Sequence, residues 1–184
     1  MRAKASDEGR IRFTKKGMIV TQLKRFVLML LLVAFQVLVL NHLQIMGYGT
    51  PLIFVVLLLY MPMGTFKAGV LLWGFCTGML VDIFTNTPGV ASGAMTFAAL
   101  IQPPLLKVMV PRDAAEDITP TMQTMGTWNY VRYTMIIFLM HHLVYFGLEC
   151  FSLYHISDAA LLMAASWGSS VLLALFLETF RKKK

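Results

Sequence analysis

Residues 67–93 read KAGVLLWGFCTGMLVDIFTNTPGVASG. An apolar run from Ala68 to Thr85 begins beside a single cation, Lys67, and ends in Asn86-Thr87-Pro88-Gly89, which carries none. Proline and glycine at adjacent positions impose a sharp reversal, and a second apolar run starts at Val90. A helix of about 20 apolar residues crosses the hydrocarbon of a bilayer. The stretch therefore predicts a membrane helical hairpin over 68–85 and 90–110, with Pro88 and Gly89 as its structural turn.

The same alternation continues in both directions. Apolar segments fall at about 26–43, 51–66, 68–85, 90–110, 130–153 and 158–180. All 16 lysines and arginines lie in the N-terminal tail, beside Lys67, around 107–132 or at 181–184, and the first, third and fifth gaps hold none. Basic residues are retained in the cytoplasm, so this reading places both termini inside, as an even number of spans requires. The expected fold is an all-α membrane protein, a bundle of six transmembrane helices. Residues 1–25 form a basic cytoplasmic tail, 26–180 the membrane domain and 181–184 a basic end. The chain is expected to be a multi-pass membrane protein.

Composition agrees. A chain that is 58% hydrophobic and 14% charged exceeds the apolar content of soluble domains, about 45–50%. Six spans use most of the 184 residues and leave no room for a soluble domain. The net charge of +7 is explained by topology-determining cations lying against anionic headgroups, so no nucleic-acid partner is expected. Cys76 and Cys150 both fall within apolar segments and show no metal or redox spacing. No small-residue cleavage site follows the first segment, which is read as a retained span.

Within this frame several residues stand out. Gln36 is a lone amide in the first span. Pro62 and Gly64 interrupt the second, which is expected to be short or kinked. Pro103 and Pro104 are expected to kink or end the fourth near its inner third. The N-terminal tail is expected to be flexible until Lys24-Arg25 meets the first helix. Trp128, Tyr130 and Tyr133 stand at the entry of the fifth span as an aromatic belt would. Ser157-Asp158 is a candidate N-cap for the sixth.

Gly74-Phe-Cys-Thr-Gly78 and Gly89-Val-Ala-Ser-Gly93 flank the turn. Residues four apart share a helix face, and glycine there lets helices approach closely. Such a stripe serves either packing within the bundle or a seam for another protein's helix. Asp82 continues the first stripe. A carboxylate at mid-bilayer costs about 2.5–3.5 kcal/mol, so it needs a partner, a wet cavity or an interfacial position. Asn41, His42, Asp82, Asn86, Glu149 and His155 all fall toward the outer surface. They form a hydrogen-bonded cluster that fixes the outer turns, or a recess for a partner helix or lipid headgroup. A metal or catalytic site is disfavoured, because no helical His-x-x-x-His or Glu-x-x-His spacing is present. Adjacent His141 and His142 point about 100° apart on a helix. No enzymatic activity, catalytic residue or cofactor is expected.

The run Gly74-Phe75-Cys76-Thr77-Gly78-Met79-Leu80-Val81-Asp82, followed by Asn86-Thr87-Pro88-Gly89, resembles the signature of the MreD family of rod shape-determining proteins. His141-His142, Phe146, Glu149 and Phe151 resemble its Bacteroidetes-type form, and the similarity covers roughly 40–180. The resemblance implies an inner-membrane subunit of the elongation machinery that binds the transmembrane helix of MreC. It further implies links to RodA and its penicillin-binding protein, directly or through MreC, and to MreB filaments on the cytoplasmic side. The implied fold is similar to the S components of energy-coupling vitamin transporters. Gly74, Gly78, Asp82, Gly89 and Gly93 are the expected partner seam, and membrane lipids or a second copy of the chain are further expected contacts. A solute-binding S-component-like subunit is the rival expectation, although the first span carries only a lone Ala34 where those proteins dock their coupling subunit. A lipid-modifying enzyme would need cations on the outer face, which has none.

Overall fold

The computed structural model describes residues 2–42, 49–110, 118–149 and 156–181, with side chains for 17–41, 49–110, 118–149 and 160–181. Among them every regular element is helical. Helix α1 spans Arg2–Leu38, α2 Val56–Leu59, α3 Lys67–Thr85, α4 Val90–Met109, α5 Met122–Met125, α6 Thr127–Glu149 and α7 Ile156–Phe180. Short 3-10 turns at Leu40–His42 and Ile53–Val55 complete the order.

Four stretches are long and apolar enough to cross a membrane: Gly17–Leu38, Lys67–Thr85, Thr127–Glu149 and Ala160–Phe180. They mark the chain as a multi-pass membrane protein. Only 17–33% of each is buried inside the bundle, so most of their apolar surface faces outward, as lipid contact demands.

Helix α1 differs from the sequence expectation at its start. It runs unbroken for 37 residues, about 55 Å at 1.5 Å per residue, and no backbone break marks the boundary at residue 25. The segment lacks proline and is rich in Lys and Arg, which favour helix.

The segment at 51–66 is short and interrupted, in line with Pro62 and Gly64. Its helical part comprises the turn Ile53–Val55 and α2 Val56–Leu59, about 12 Å in all, against a hydrocarbon core of about 30 Å. Pro62 and Gly64 end it early. A short, interrupted element inside a membrane bundle must find partners for its backbone groups, and here side chains of neighbouring helices supply them. Gln36 Nε2 donates to the Pro51 carbonyl at 3.1 Å, and Gln36 Oε1 accepts from Ile53 N at 2.8 Å. Ser170 Oγ accepts from Leu52 N at 2.8 Å. At the other end Gln102 Nε2 lies 3.4 Å from the Met61 carbonyl, and Met63 N donates to the Ile118 carbonyl at 3.0 Å. Every residue from Leu52 to Leu59 is at most 5% exposed. This short element is the centre of the core.

Helix α4 packs between α3 and α6, and α6 packs against α7. Its central place explains its composition. Ser92, Gln102 and Pro103 are among its buried residues, facing protein rather than lipid. The helix continues through Pro103 and Pro104 to Met109, which excludes the early end, one of the two outcomes expected from the prolines.

Candidate functional site

The turn between α3 and α4 is built around one carboxylate. Asp82 lies a turn before the end of α3, where its backbone carbonyl accepts from the N–H groups of Asn86 and Thr87 and closes that helix. Its side chain reaches the first turn of α4. Asp82 Oδ1 accepts from Ala91 N at 2.8 Å and Thr87 Oγ1 at 3.2 Å. Oδ2 accepts from Ser92 Oγ at 2.7 Å, Ser92 N at 2.9 Å and Gly89 N at 3.1 Å. The first N–H groups of a helix have no partner within it and carry partial positive charge, so a carboxylate there is doubly favoured. One residue thus caps both helices.

The chain chemistry between them suits this geometry. Asn86 is left-handed at φ 56°, and Gly89 has φ 91°. Asparagine tolerates that region and glycine adopts it without Cβ strain. Pro88 sits between them, where no helix has to continue.

The two glycine motifs lie in different environments. A Cβ on Gly78 would stand 2.4 Å from Ser92 Cα and 2.5 Å from the Ala91 carbonyl oxygen. One on Gly74 would stand 2.8 Å from Ala99 Cβ. These two glycines, with Asp82, are therefore covered by α4 of the same chain, which is the first of the two alternatives, packing within the bundle. Gly89 and Gly93 do not share that seam. A Cβ on Gly89 meets nothing within 4 Å, and one on Gly93 meets only the tip of Leu148. They line a groove of about 600 Å³ between α3 and α4, with Leu71, Phe75, Phe97 and Leu100.

Of the outward polar residues, four have described side chains. Asp82 and Asn86 belong to the turn. Asn41 belongs to a second cluster, where its Oδ1 accepts from Gln36 Nε2 at 3.0 Å. Glu149 is exposed at the end of α6. His155 and the His42 side chain lie outside the described residues.

The second cluster contains residues whose role the sequence did not disclose. His142 Nδ1 is 2.8 Å from the Phe138 carbonyl, which can only accept, so Nδ1 carries the proton. Its Nε2 then accepts, 3.2 Å from Ser170 Oγ. The Ser170 hydroxyl proton lies between this nitrogen and the Ser166 carbonyl at 2.5 Å. Gln36, Ser170 and His142 together hold the broken element in place. A lone amide in an apolar run was the visible signal, because burying one unpaired is costly.

His141 is different. It is fully buried, set edge-on to Phe54 at 5.2 Å and stacked on Tyr145 at 5.9 Å. Neither ring nitrogen has a partner among the described residues. An unmet buried polar group costs about 1–3 kcal/mol. His141→Leu is therefore expected to raise the unfolding temperature in detergent, and His142→Leu to lower it. A fall for both would show that His141 makes a polar contact not accounted for.

Among the described residues no group of three His, Cys, Asp or Glu side chains could hold a metal ion. No protein-family model, curated protein or solved structure matches the chain.

Proposed function

We propose that the chain is a non-enzymatic MreD-type subunit of the elongation complex in the bacterial cytoplasmic membrane. In this reading it binds the transmembrane helix of MreC and supports peptidoglycan synthesis and cell shape, with RodA, its penicillin-binding protein and MreB as further partners. The chain crosses the membrane six times, the second crossing being the broken element around Leu52–Leu59 and the fourth α4. Both termini lie on the cytoplasmic side, where the cations gather.

The observation that carries the reading is local. The motif that resembles the family, Gly74 to Asp82 and Asn86 to Gly89, folds as one closed unit. That unit leaves an open, glycine-floored groove beside it at Gly89 and Gly93. In lipid, association depends on close packing over small residues and a few hydrogen bonds, which such a groove offers. The partner seam is accordingly placed on Gly93, with Leu71, Phe75 and Phe97 as its walls.

Gly93→Leu fills the groove without touching backbone, since only a flexible Leu148 tip must move. It is expected to reduce co-purification with MreC about tenfold, the effect of losing roughly 1.4 kcal/mol of binding, while the variant still folds. Gly168→Leu on α7, where an added Cβ meets nothing within 4 Å, serves as the control and should bind normally. Equal recovery of MreC by both variants and the native chain would remove the groove from the interface.

A further inference from the structure

At the end of the bundle away from the Asp82 turn, the start of α6 and the last turn of α7 flank a second cavity, of about 800 Å³. Its polar lining comes from Thr119, Thr121, Gln123 and Thr127 on one side and Glu178 and Arg181 on the other. Unlike the apolar groove between α1 and α7, it presents one fixed charge of each sign.

Arg181 is held in place from three directions. Its Nη1 donates to Glu178 Oε2 at 3.3 Å and to the Pro120 carbonyl at 3.2 Å. The guanidinium lies 4.3 Å over the ring of Tyr60. Among the described residues its Nε and Nη2 donate no hydrogen bond. Glu178 is 5% exposed at the side chain and Arg181 26%, so the carboxylate is the deeper group and the cation stands at the mouth. Glu178 Oε2 also accepts from Tyr130 Oη at 3.2 Å, while Oε1 has no donor among the described residues. The recess thus keeps an anion-binding fork and a carboxylate oxygen available a short distance apart.

Its depth matters as much as its chemistry. Thr127 is the first residue of one candidate span, and Phe180 the last of another. Arg181 follows directly, so the cavity lies where hydrocarbon gives way to headgroups. Phe176 and Phe180 are 58% and 68% exposed and form an edge-to-face pair at 4.8 Å, which marks the lipid-facing side of α7 at this depth.

We propose that this recess binds the headgroup of a phospholipid bearing a primary amine, with its phosphate on Arg181 and its ammonium on Glu178 Oε1. Arginine presents a planar fork that matches phosphate oxygens. Glu178 Oε1 is best answered by a charged N–H donor, which a primary ammonium has and a quaternary choline lacks. An anionic lipid without an amine brings only neutral hydroxyl donors and repels the carboxylate. The site is separate from the MreC groove, and either proposal can fail without the other.

The test uses the full chain in detergent with an equimolar mixture of phosphatidylethanolamine, phosphatidylcholine and phosphatidylglycerol, read by native mass spectrometry. A charge-assisted hydrogen bond gives about 1.5–3 kcal/mol, so the ethanolamine lipid should be retained at least about tenfold over each of the others. Arg181→Gln should abolish that preference. Should this variant fail to fold, the three-lipid comparison on the native chain decides alone. Equal retention of the choline lipid, or preference for the glycerol lipid, overturns the proposal. Glycerophosphoethanolamine, which has the headgroup without acyl chains, should compete weakly. If it binds as tightly as the lipid, the ligand is a soluble phosphoamine and the lipid assignment is wrong.

Discussion

Gly78→Ala is expected to destabilise the protein by at least about 3 kcal/mol, at the upper end of the usual cost of overpacking. The three atoms nearest the added carbon are Ser92 Cα at 2.4 Å, the Ala91 carbonyl oxygen at 2.5 Å and Ser92 N at 2.6 Å. All belong to the backbone of α4, so no side chain can swing away. Ordinary contact begins near 3.4 Å, which means α4 must retreat by about an ångström. That movement also draws Ala91 N and Ser92 N away from the Asp82 carboxylate, so packing and capping are lost together. Gly74→Ala should cost less, because its nearest neighbour is the Ala99 methyl at 2.8 Å. Gly168→Ala, which meets nothing, should be neutral. Unfolding in a denaturing detergent series, followed by circular dichroism, gives the ranking. A native midpoint for Gly78→Ala would mean that α3 and α4 are not in contact there.

Much of this hairpin was legible in the sequence. The apolar length of residues 67–85, the Asn-Thr-Pro-Gly turn and the glycine spacing each have a local physical meaning. What spacing cannot supply is the identity of the opposite surface. Gly74 and Gly78 share a face, but that face could equally meet a neighbour in the chain or another protein. The same limit applies to the outward polar residues. Asn41, Asp82 and Glu149 occupy similar depths, and depth follows from position along a span. Their direction around the bundle axis depends on how the helices pack, so spacing does not show that Asn41 bonds to Gln36 while Asp82 caps α4.

The broken second segment illustrates a different limit. Pro62 and Gly64 signalled interruption, yet whether an interrupted segment can survive in a membrane depends on distant donors and acceptors. Gln36 and Ser170 supply them from positions 17 and 118 residues away from the backbone groups they serve. The sequence therefore indicated a short or kinked element over 51–66 but not what holds it. Helix α4 was foreseen as a helix from the length of its apolar run, but its polar and proline residues make sense only once it is seen to lie between α3 and α6.

Asp82→Leu is expected to be the most damaging substitution in the turn after Gly78→Ala, and Asp82→Asn clearly milder. The native carboxylate accepts five hydrogen bonds, three from backbone N–H groups and two from hydroxyls. Leucine accepts none. The hydroxyls can recover, since Thr87 Oγ1 already lies 2.7 Å from Thr85 Oγ1 and serine can turn toward the preceding helical carbonyl. The N–H groups of Gly89, Ala91 and Ser92 cannot. At about 1–3 kcal/mol for each unmet buried group, with Gly89 partly compensated by its exposure, the loss should reach about 3–5 kcal/mol. Asparagine keeps the shape and one acceptor oxygen. Placed at Oδ2, that oxygen still serves Gly89 and Ser92, while the amide nitrogen confronts the Ala91 N–H, so about half the loss is expected. Amide hydrogen exchange over 89–92 should rise in the same order as the unfolding midpoint falls. Equal damage from asparagine and leucine would mean that charge at the helix terminus outweighs acceptor number. A stable Asp82→Asn protein that no longer recovers MreC would instead transfer this carboxylate from the hairpin to the partner interface, against the five bonds it makes within the chain.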